Sequence, residues 1–195
     1  NQVLESLNAS KQVEDTPKRI KMLFNHADIG GQLTKKSFAY TMLYAAERIP
    51  EIADQLYSID EGMKAGFAWE YGPFQYWDIV GLEAGIKAIE ELGKQVPAWV
   101  IEMKNNGFET FYTTIDSKPA YHNINTQKHE SVPGFESIVR LDYLTKEKIV
   151  YQNDETKLYD IGDDVLCLEF TSKMNAIGAG ILNGLQDAVR IAEEG

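Results

Sequence analysis

Few side chains in this sequence stand at spacings that could do chemistry. Cys167 lies in the apolar run Val165-Leu166-Cys167-Leu168-Glu169-Phe170, and the nearest histidine in sequence, His129, is far away. A nucleophilic thiol needs a neighbouring base or positive charge to form its thiolate, so this one is expected to serve as a small apolar side chain. His26, His122 and His129 supply no third convergent ligand for a metal. His122 and His129 flank a stretch without periodicity and are expected to be solvated. Gly178-Ala179-Gly180 offers two glycines of a dinucleotide cradle but no third at the required spacing. A tight turn leading into a helix is the ordinary use of such a pair. The aromatic run containing Trp69, Tyr71, Phe74, Tyr76 and Trp77 could be a ligand platform. Large rings more often fill a core or an interface, and that is the expectation here. The residues predict no catalytic group, no cofactor-binding residue and no metal site.

The bulk properties narrow the function classes. The 195 residues are 44% hydrophobic and 25% charged, which is globular composition. A formal net charge of -11 opposes nucleic acid or an anionic membrane surface as the main partner. A single cysteine forms no internal disulfide, which suits a reducing compartment. No apolar run approaches a membrane span and no signal-peptide pattern opens the chain, so a cytoplasmic location is expected. The chain opens on Asn1 rather than Met and is expected to be a processed or excised piece.

The elements that must position these residues are mostly helical. Residues 1–17 read as a polar lead-in, with Asp15-Thr16-Pro17 as a turn. A short helix runs from Pro17 to Phe24, and Gly30-Gly31 breaks it. Thr34 is expected to cap a helix on which Phe38, Met42, Ala45 and Ile49 share one face. Pro50 starts a further helical turn. Ser58-Ile59-Asp60-Glu61 has the pattern of a capping box, and that helix is expected to stop near Gly66. Gly72-Pro73 restarts the chain. Leu82, Ile86, Ile89 and Val96 line the next helix, and Pro97 opens another that closes at Asn105-Asn106-Gly107. Residues 18–112 are thus expected to form a compact antiparallel helical domain. Residues 113–135 read as irregular. Strand-like runs follow at 137–144, 148–151, 157–161 and 165–170, with Gly162-Asp163-Asp164 as a hairpin turn. A last helix carries Ile177, Ile181, Leu185, Ala188 and Ala192 on one face. Asn175 is expected to cap it.

The segment Ile59-Asp60-Glu61-Gly62-Met63-Lys64-Ala65-Gly66-Phe67 through Gly72-Pro73-Phe74, Asp78 and Val80-Gly81-Leu82 resembles the signature of the C-terminal domain of 3-hydroxyacyl-CoA dehydrogenases. The resemblance implies a mainly α chain, with a helical domain of the 6-phosphogluconate dehydrogenase C-terminal type, then a hairpin-containing segment and a terminal helix. Its fixed residues, Asp60, Gly66, Gly72, Pro73, Phe74, Asp78 and Gly81 with the cap Ser58, build a corner rather than react. The family often carries this domain twice, the first copy opening its long helix on Asn-Arg. Lys35-Lys36-Ser37-Phe38 stands here instead, which points to the second copy.

Tyr159–Phe170 followed by Lys173-Met174-Asn175-Ala176-Ile177 resembles the opening of the crotonase fold. Together with the lead-in at 1–17, the helical domain at 18–112 and a linker with strands at 113–156, that likeness implies the first hairpin and helix of an enoyl-CoA hydratase/isomerase domain at 157–195. By resemblance, Lys173, Asn175 and Ala176 would edge a CoA pocket. The parent would be an NAD-dependent 3-hydroxyacyl-CoA dehydrogenase with a fused enoyl-CoA hydratase, acting on acyl-CoA in fatty-acid β-oxidation without a metal. Its NAD site and its acid–base pair would lie outside these residues. The piece itself is expected to be a structural, interdomain and homodimerisation module without turnover. The alternative is a stand-alone helical oligomerisation module unrelated to CoA chemistry.

Overall fold

The structure is a computed structural model that describes residues 4–135 and 137–194. It is mainly helical, with two three-stranded sheets and a terminal helix. It divides into two units, one up to Ile115 together with Pro119–Val132, the other of Asp116–Lys118 and the chain from Pro133 onward.

The first unit begins with α1 (Glu5–Ser10), inside the stretch expected to be a loose lead-in. A six-residue helix is marginal alone. Here the Asp28 carboxylate accepts from the Ser6 amide at 2.9 Å and holds it. The same carboxylate accepts from the Gly31 amide at 2.9 Å and caps α3 (Ile29–Glu47). These two amide donors hold the Asp28 carboxyl well below the usual carboxylate range. Gly30-Gly31 therefore does not break a helix but opens one, and the cap is Asp28 rather than Thr34. The glycine at 31 is needed because a Cβ there would overlap the His26 carbonyl. Thr34 instead donates its hydroxyl back to the Gly30 carbonyl at 2.9 Å.

α2 (Thr16–Asn25) starts as its Asp-Thr-Pro signal predicts, with the Asp15 carboxylate accepting from the Lys18 amide at 2.8 Å. After α3, Pro50 follows a cis peptide in a turn and starts no helix. α4 (Leu56–Phe67) begins two residues before Ser58, which leaves that serine in the first turn and the predicted capping box unformed. Nor does Gly66 stop this helix. The left-handed residue is Ala68, at φ 53°. An L-residue pays about 1 kcal/mol for that conformation and glycine does not. Ala68→Gly should therefore raise the stability of the unit by roughly that amount, about 1 kcal/mol, in a thermal melt followed by circular dichroism. A lowered melting temperature would show that the Ala68 methyl matters more than its backbone.

α5 (Pro73–Val80), α6 (Leu82–Glu91) and α7 (Ala98–Asn105) follow the predicted order. Met42, Leu56, Phe74, Trp77, Ile89, Val100, Met103 and Phe111 form the buried centre. The segment expected to be irregular is instead a sheet of β1 (Tyr112–Ile115), β2 (Lys118–Asn123) and β3 (Lys128–Ser131). Asp116 and Ser117, both at positive φ, make the tight turn between the first two strands. β2 is buried at five of its six positions, so it reads as continuous rather than alternating, which hides it from a period-two search.

The second unit holds an antiparallel sheet of β4 (Ile149–Gln152), β5 (Thr156–Asp160) and β6 (Leu166–Phe170). These are the runs expected at 148–151, 157–161 and 165–170, and Gly162-Asp163-Asp164 does turn between the last two. The run at 137–144 forms no strand. It carries a 3-10 turn at Leu141–Tyr143, and Ile138 and Val139 are half exposed. α8 (Ala179–Glu194) buries Ile181 and Gly184, with Ala188 and Ile191 half-buried on the same side. That face is rotated from the predicted one, for Ile177 lies before the helix and is exposed, and Leu185 points outward.

Candidate functional site

Within the first unit, the signature residues converge on two carboxylates, Asp60 fully buried and Asp78 half-buried. Asp60 is fully buried on α4, and its two oxygens accept from the amides of Phe74 and Gln75, each at 3.0 Å. It is thus a long-range cap for α5, filling the role that Gly72, which has no side chain, cannot. Gly72 is required because any Cβ there would run into Asp60. Pro73 needs no partner for its nitrogen, and Gln75 closes the turn by accepting from the Gly72 amide at 3.0 Å. A third donor reaches Asp60 from β1, the Tyr112 hydroxyl at 3.0 Å.

Asp78 works in the other direction, from α5 outward. Its carboxylate accepts from the amides of Phe111 at 2.8 Å and Tyr112 at 2.9 Å, which fixes the chain where α7 gives way to β1. Burial pushes both carboxyls up to about 7, against the pull of their amide donors, and the charge of Asp60 adds to the rise at Asp78. Burial, with the neighbouring Asp60 charge, also raises the Tyr112 phenol. Every polar atom named in this network is engaged in bracing the corner. Gly81, at φ 101°, makes the sharp joint between α5 and α6 that the Val80-Gly81-Leu82 signature implies. Phe74 lies fully buried against Phe111, ring centres 5.2 Å apart. Of the aromatic run, Phe74 and Trp77 are core. Trp69, Tyr71 and Tyr76 are half-buried, their rings in contact through Tyr76.

The histidines differ from expectation. His122 is not solvated but fully buried, and it pairs across the sheet with His129. Both rings pack on Phe108, at 4.7 and 5.0 Å. Neither ring nitrogen of His122 has a hydrogen-bond partner. Burial lowers its pKa from 6.5 to about 4, helped by the adjacent His129. The cross-strand register that causes this was invisible without β2 and β3. The folded state binds fewer protons at this ring than the unfolded chain between pH 4 and 6.5, so stability is lost as pH falls through that window. His122→Phe should remove the loss. The variant's advantage over the parent chain should grow by about 2–3 kcal/mol between pH 7 and pH 4, measured by urea unfolding. A pH-independent difference would refute the buried neutral ring.

In the second unit, Lys173, Asn175 and Ala176 lie exposed on the 3-10 turn between β6 and α8, with Met174 and Asn175 both at positive φ. Asn175 does not cap α8, whose first residue lies four positions later. The cap comes from the β4–β5 turn, where Glu155 accepts from the Ile181 amide at 3.2 Å and Asn153 donates to the Gly180 carbonyl at 2.8 Å. The Glu155 carboxylate lies beside Gly178 and Gly180. A helix N-terminus already occupied by an anion has no room or charge for a pyrophosphate, so the residues here do not fit NAD. Cys167 sits half-buried as the second residue of β6. No group of three or more metal-ligating side chains converges among the described residues, and no helix among them is long and apolar enough to cross a membrane.

No family model and no solved structure matches the chain. Among curated proteins, it is 37% identical over 190 residues to a probable 3-hydroxyacyl-CoA dehydrogenase of Bacillus subtilis, covering 95% of this chain and 24% of that protein. It is 24% identical over 202 residues to a putative fatty acid oxidation complex trifunctional enzyme of Rickettsia felis, and 24% identical over 191 residues to one of Rickettsia prowazekii. Those matches cover 98% and 96% of this chain but 25% and 23% of the relatives. The chain therefore spans about a quarter of the length of the curated relatives it matches. Matched along nearly its whole length, and carrying the Asp60–Gly81 corner in folded form, the chain belongs to the 3-hydroxyacyl-CoA dehydrogenase family.

Proposed function

We propose that this chain is a structural segment of an NAD-dependent 3-hydroxyacyl-CoA dehydrogenase of fatty-acid β-oxidation, located in the cytoplasm. The reading rests on the match of 95% of the chain to 24% of a relative named for that dehydrogenase. Residues 18–112 are the helical domain of the 6-phosphogluconate dehydrogenase C-terminal type, in its second copy, and 113–156 link it onward. Residues 157–195 are the opening of a fused enoyl-CoA hydratase domain. Lys173, Asn175 and Ala176, exposed on one turn, are the edge of its CoA pocket.

The segment holds its parent together and self-associates; it does not turn over substrate. Its strongly displaced acids support that role, because Asp60 and Asp78 spend their oxygens on backbone amides and a buried phenol. A proton-transfer group must instead reach a substrate atom. The purified chain, given 3-hydroxybutyryl-CoA and NAD, should form no NADH by absorbance. NADH formation above the enzyme-free rate would overturn the proposal.

A further inference from the structure

Asn106-Gly107 closes α7, and the same two residues hold a pair of groups that can react with each other. The sequence contains two Asn-Gly pairs, at 106–107 and at 183–184. In such a pair the backbone nitrogen of the second residue can attack the side-chain amide carbon of the asparagine and close a succinimide ring. Glycine favours the attack, because no side chain shields its nitrogen and its backbone turns freely. The nitrogen must first be released from its hydrogen bond, and the asparagine ψ must leave its helical value. The ease of local opening therefore decides which pair reacts.

The two pairs stand in opposite settings. Asn106 and Gly107 are both exposed and lie just past the last residue of α7. Asn106 is the C-cap, at ψ 5°, and Gly107 has already left the helix at φ 85°. The Gly107 amide is held by the Lys104 carbonyl at 2.9 Å, a bond of the last turn, where helices fray. Gly184, in contrast, is buried within α8. A Cβ there would overlap the Thr156 side chain of β5, so close is the helix to its sheet. Freeing the Gly184 nitrogen means unwinding α8 and lifting it from that strand.

We propose that Asn106 is a site of spontaneous deamidation, that the fold protects Asn183 from the same reaction, and that the change loosens the joint between α7 and β1. The Gly107 nitrogen bonds to the Asn106 side-chain carbon, the bond from that carbon to Nδ2 breaks, and ammonia leaves with the Gly107 proton. Water then opens the ring at either carbonyl and leaves aspartate or isoaspartate, each adding a negative charge. Both products lose the Nδ2 donor that Asn106 gives to the Gln127 side-chain oxygen at 3.2 Å. Isoaspartate also lengthens the main chain by a methylene just ahead of Phe108. That residue anchors the joint, its ring packed on His122 and His129 and its amide donating to the Met103 carbonyl at 3.2 Å.

The test is incubation of the full chain in mildly alkaline buffer at physiological temperature, folded and in guanidinium chloride, with peptide mapping by mass spectrometry over time. In the folded chain, residue 106 should convert to the acid at least about tenfold faster than residue 183. In denaturant the two rates should converge. Asn106→Gln, whose longer side chain disfavours the ring, should abolish the early acidic species on anion exchange. In the aged fraction the Phe108 amide should lose protection against hydrogen exchange. A folded chain in which residue 183 converts as fast as 106 would overturn the site. So would one in which Asn106 stays intact while the unfolded chain converts. An aged fraction whose Phe108 amide keeps the protection of the fresh chain would overturn the loosening.

Discussion

Asp60→Ala should destabilise the helical unit by about 3–5 kcal/mol, one of the two largest losses expected of any single change in it. The side chain is fully buried, and its removal orphans the amides of Phe74 and Gln75 and the hydroxyl of Tyr112 at once. Each unsatisfied buried donor is worth about 1–3 kcal/mol, softened where water can enter. Urea unfolding followed by tryptophan fluorescence measures the loss, since Trp77 and Trp99 sit in the same core. Asp60→Asn keeps an acceptor oxygen and should recover part of it. A loss below about 1 kcal/mol for the alanine variant would mean that Asp60 does not cap α5. The carboxyl pair also shapes the pH profile. Burial raises Asp60 and Asp78 to about 7 from 3.8, so the folded state holds more protons than the unfolded chain between those values. Their contribution therefore declines as pH rises from about 4 to about 7, opposite in sign to that of His122.

Trp77→Ala should cost about 3–5 kcal/mol as well, by leaving a cavity the size of an indole in a close-packed core. Trp77 is fully buried, packs on Phe111 with ring centres 5.1 Å apart, and donates its indole N–H to the Leu82 carbonyl at 3.1 Å. Gly85 makes this position possible, because a Cβ on α6 would fall on the indole nitrogen. Gly85→Ala alone is therefore expected to destabilise, reversing the usual gain of alanine over glycine inside a helix. In a Trp77→Ala background the same Gly85→Ala change should become neutral or stabilising. Such a sign change in a double-mutant cycle would place the conflict between these two side chains. Additive effects would assign the role of Gly85 to its backbone instead.

The corner explains why a signature can identify a family without marking an active site. Asp60 on α4 and Asp78 on α5 are carboxyl groups that burial raises to about 7, a range compatible with acid–base work. Their surroundings decide otherwise, since amides and a phenol take up the oxygens that a substrate would need. Tyr112 completes the network from 52 residues away in sequence. Nothing local announces it.

Taken alone, the sequence determined what short-range physics controls. α2, α5, α6 and α7 follow from apolar spacing, proline at helix starts and glycine past helix ends. The strands β4 to β6 follow from short apolar and aromatic runs and the Gly162 turn. The corner residues were legible because each carries a local backbone constraint, as Pro73 and Gly81 do. Tertiary contacts supply the partners that come from across the fold: Asp28 for α1, Asp60 for α5, and Glu155 for α8. A helix end needs an acceptor near its free amides, but not one adjacent in sequence. Thr34 yields to the local cap Asp28 and α4 starts ahead of Ser58 without a side-chain cap, whereas the distant Glu155 takes the place of Asn175 at α8. The same holds for β1 to β3 and for His122, whose burial depends on a cross-strand neighbour rather than on its own surroundings in the chain. For this protein, the residues that define the family could be read one by one, whereas the work they do together is set by long-range hydrogen bonds.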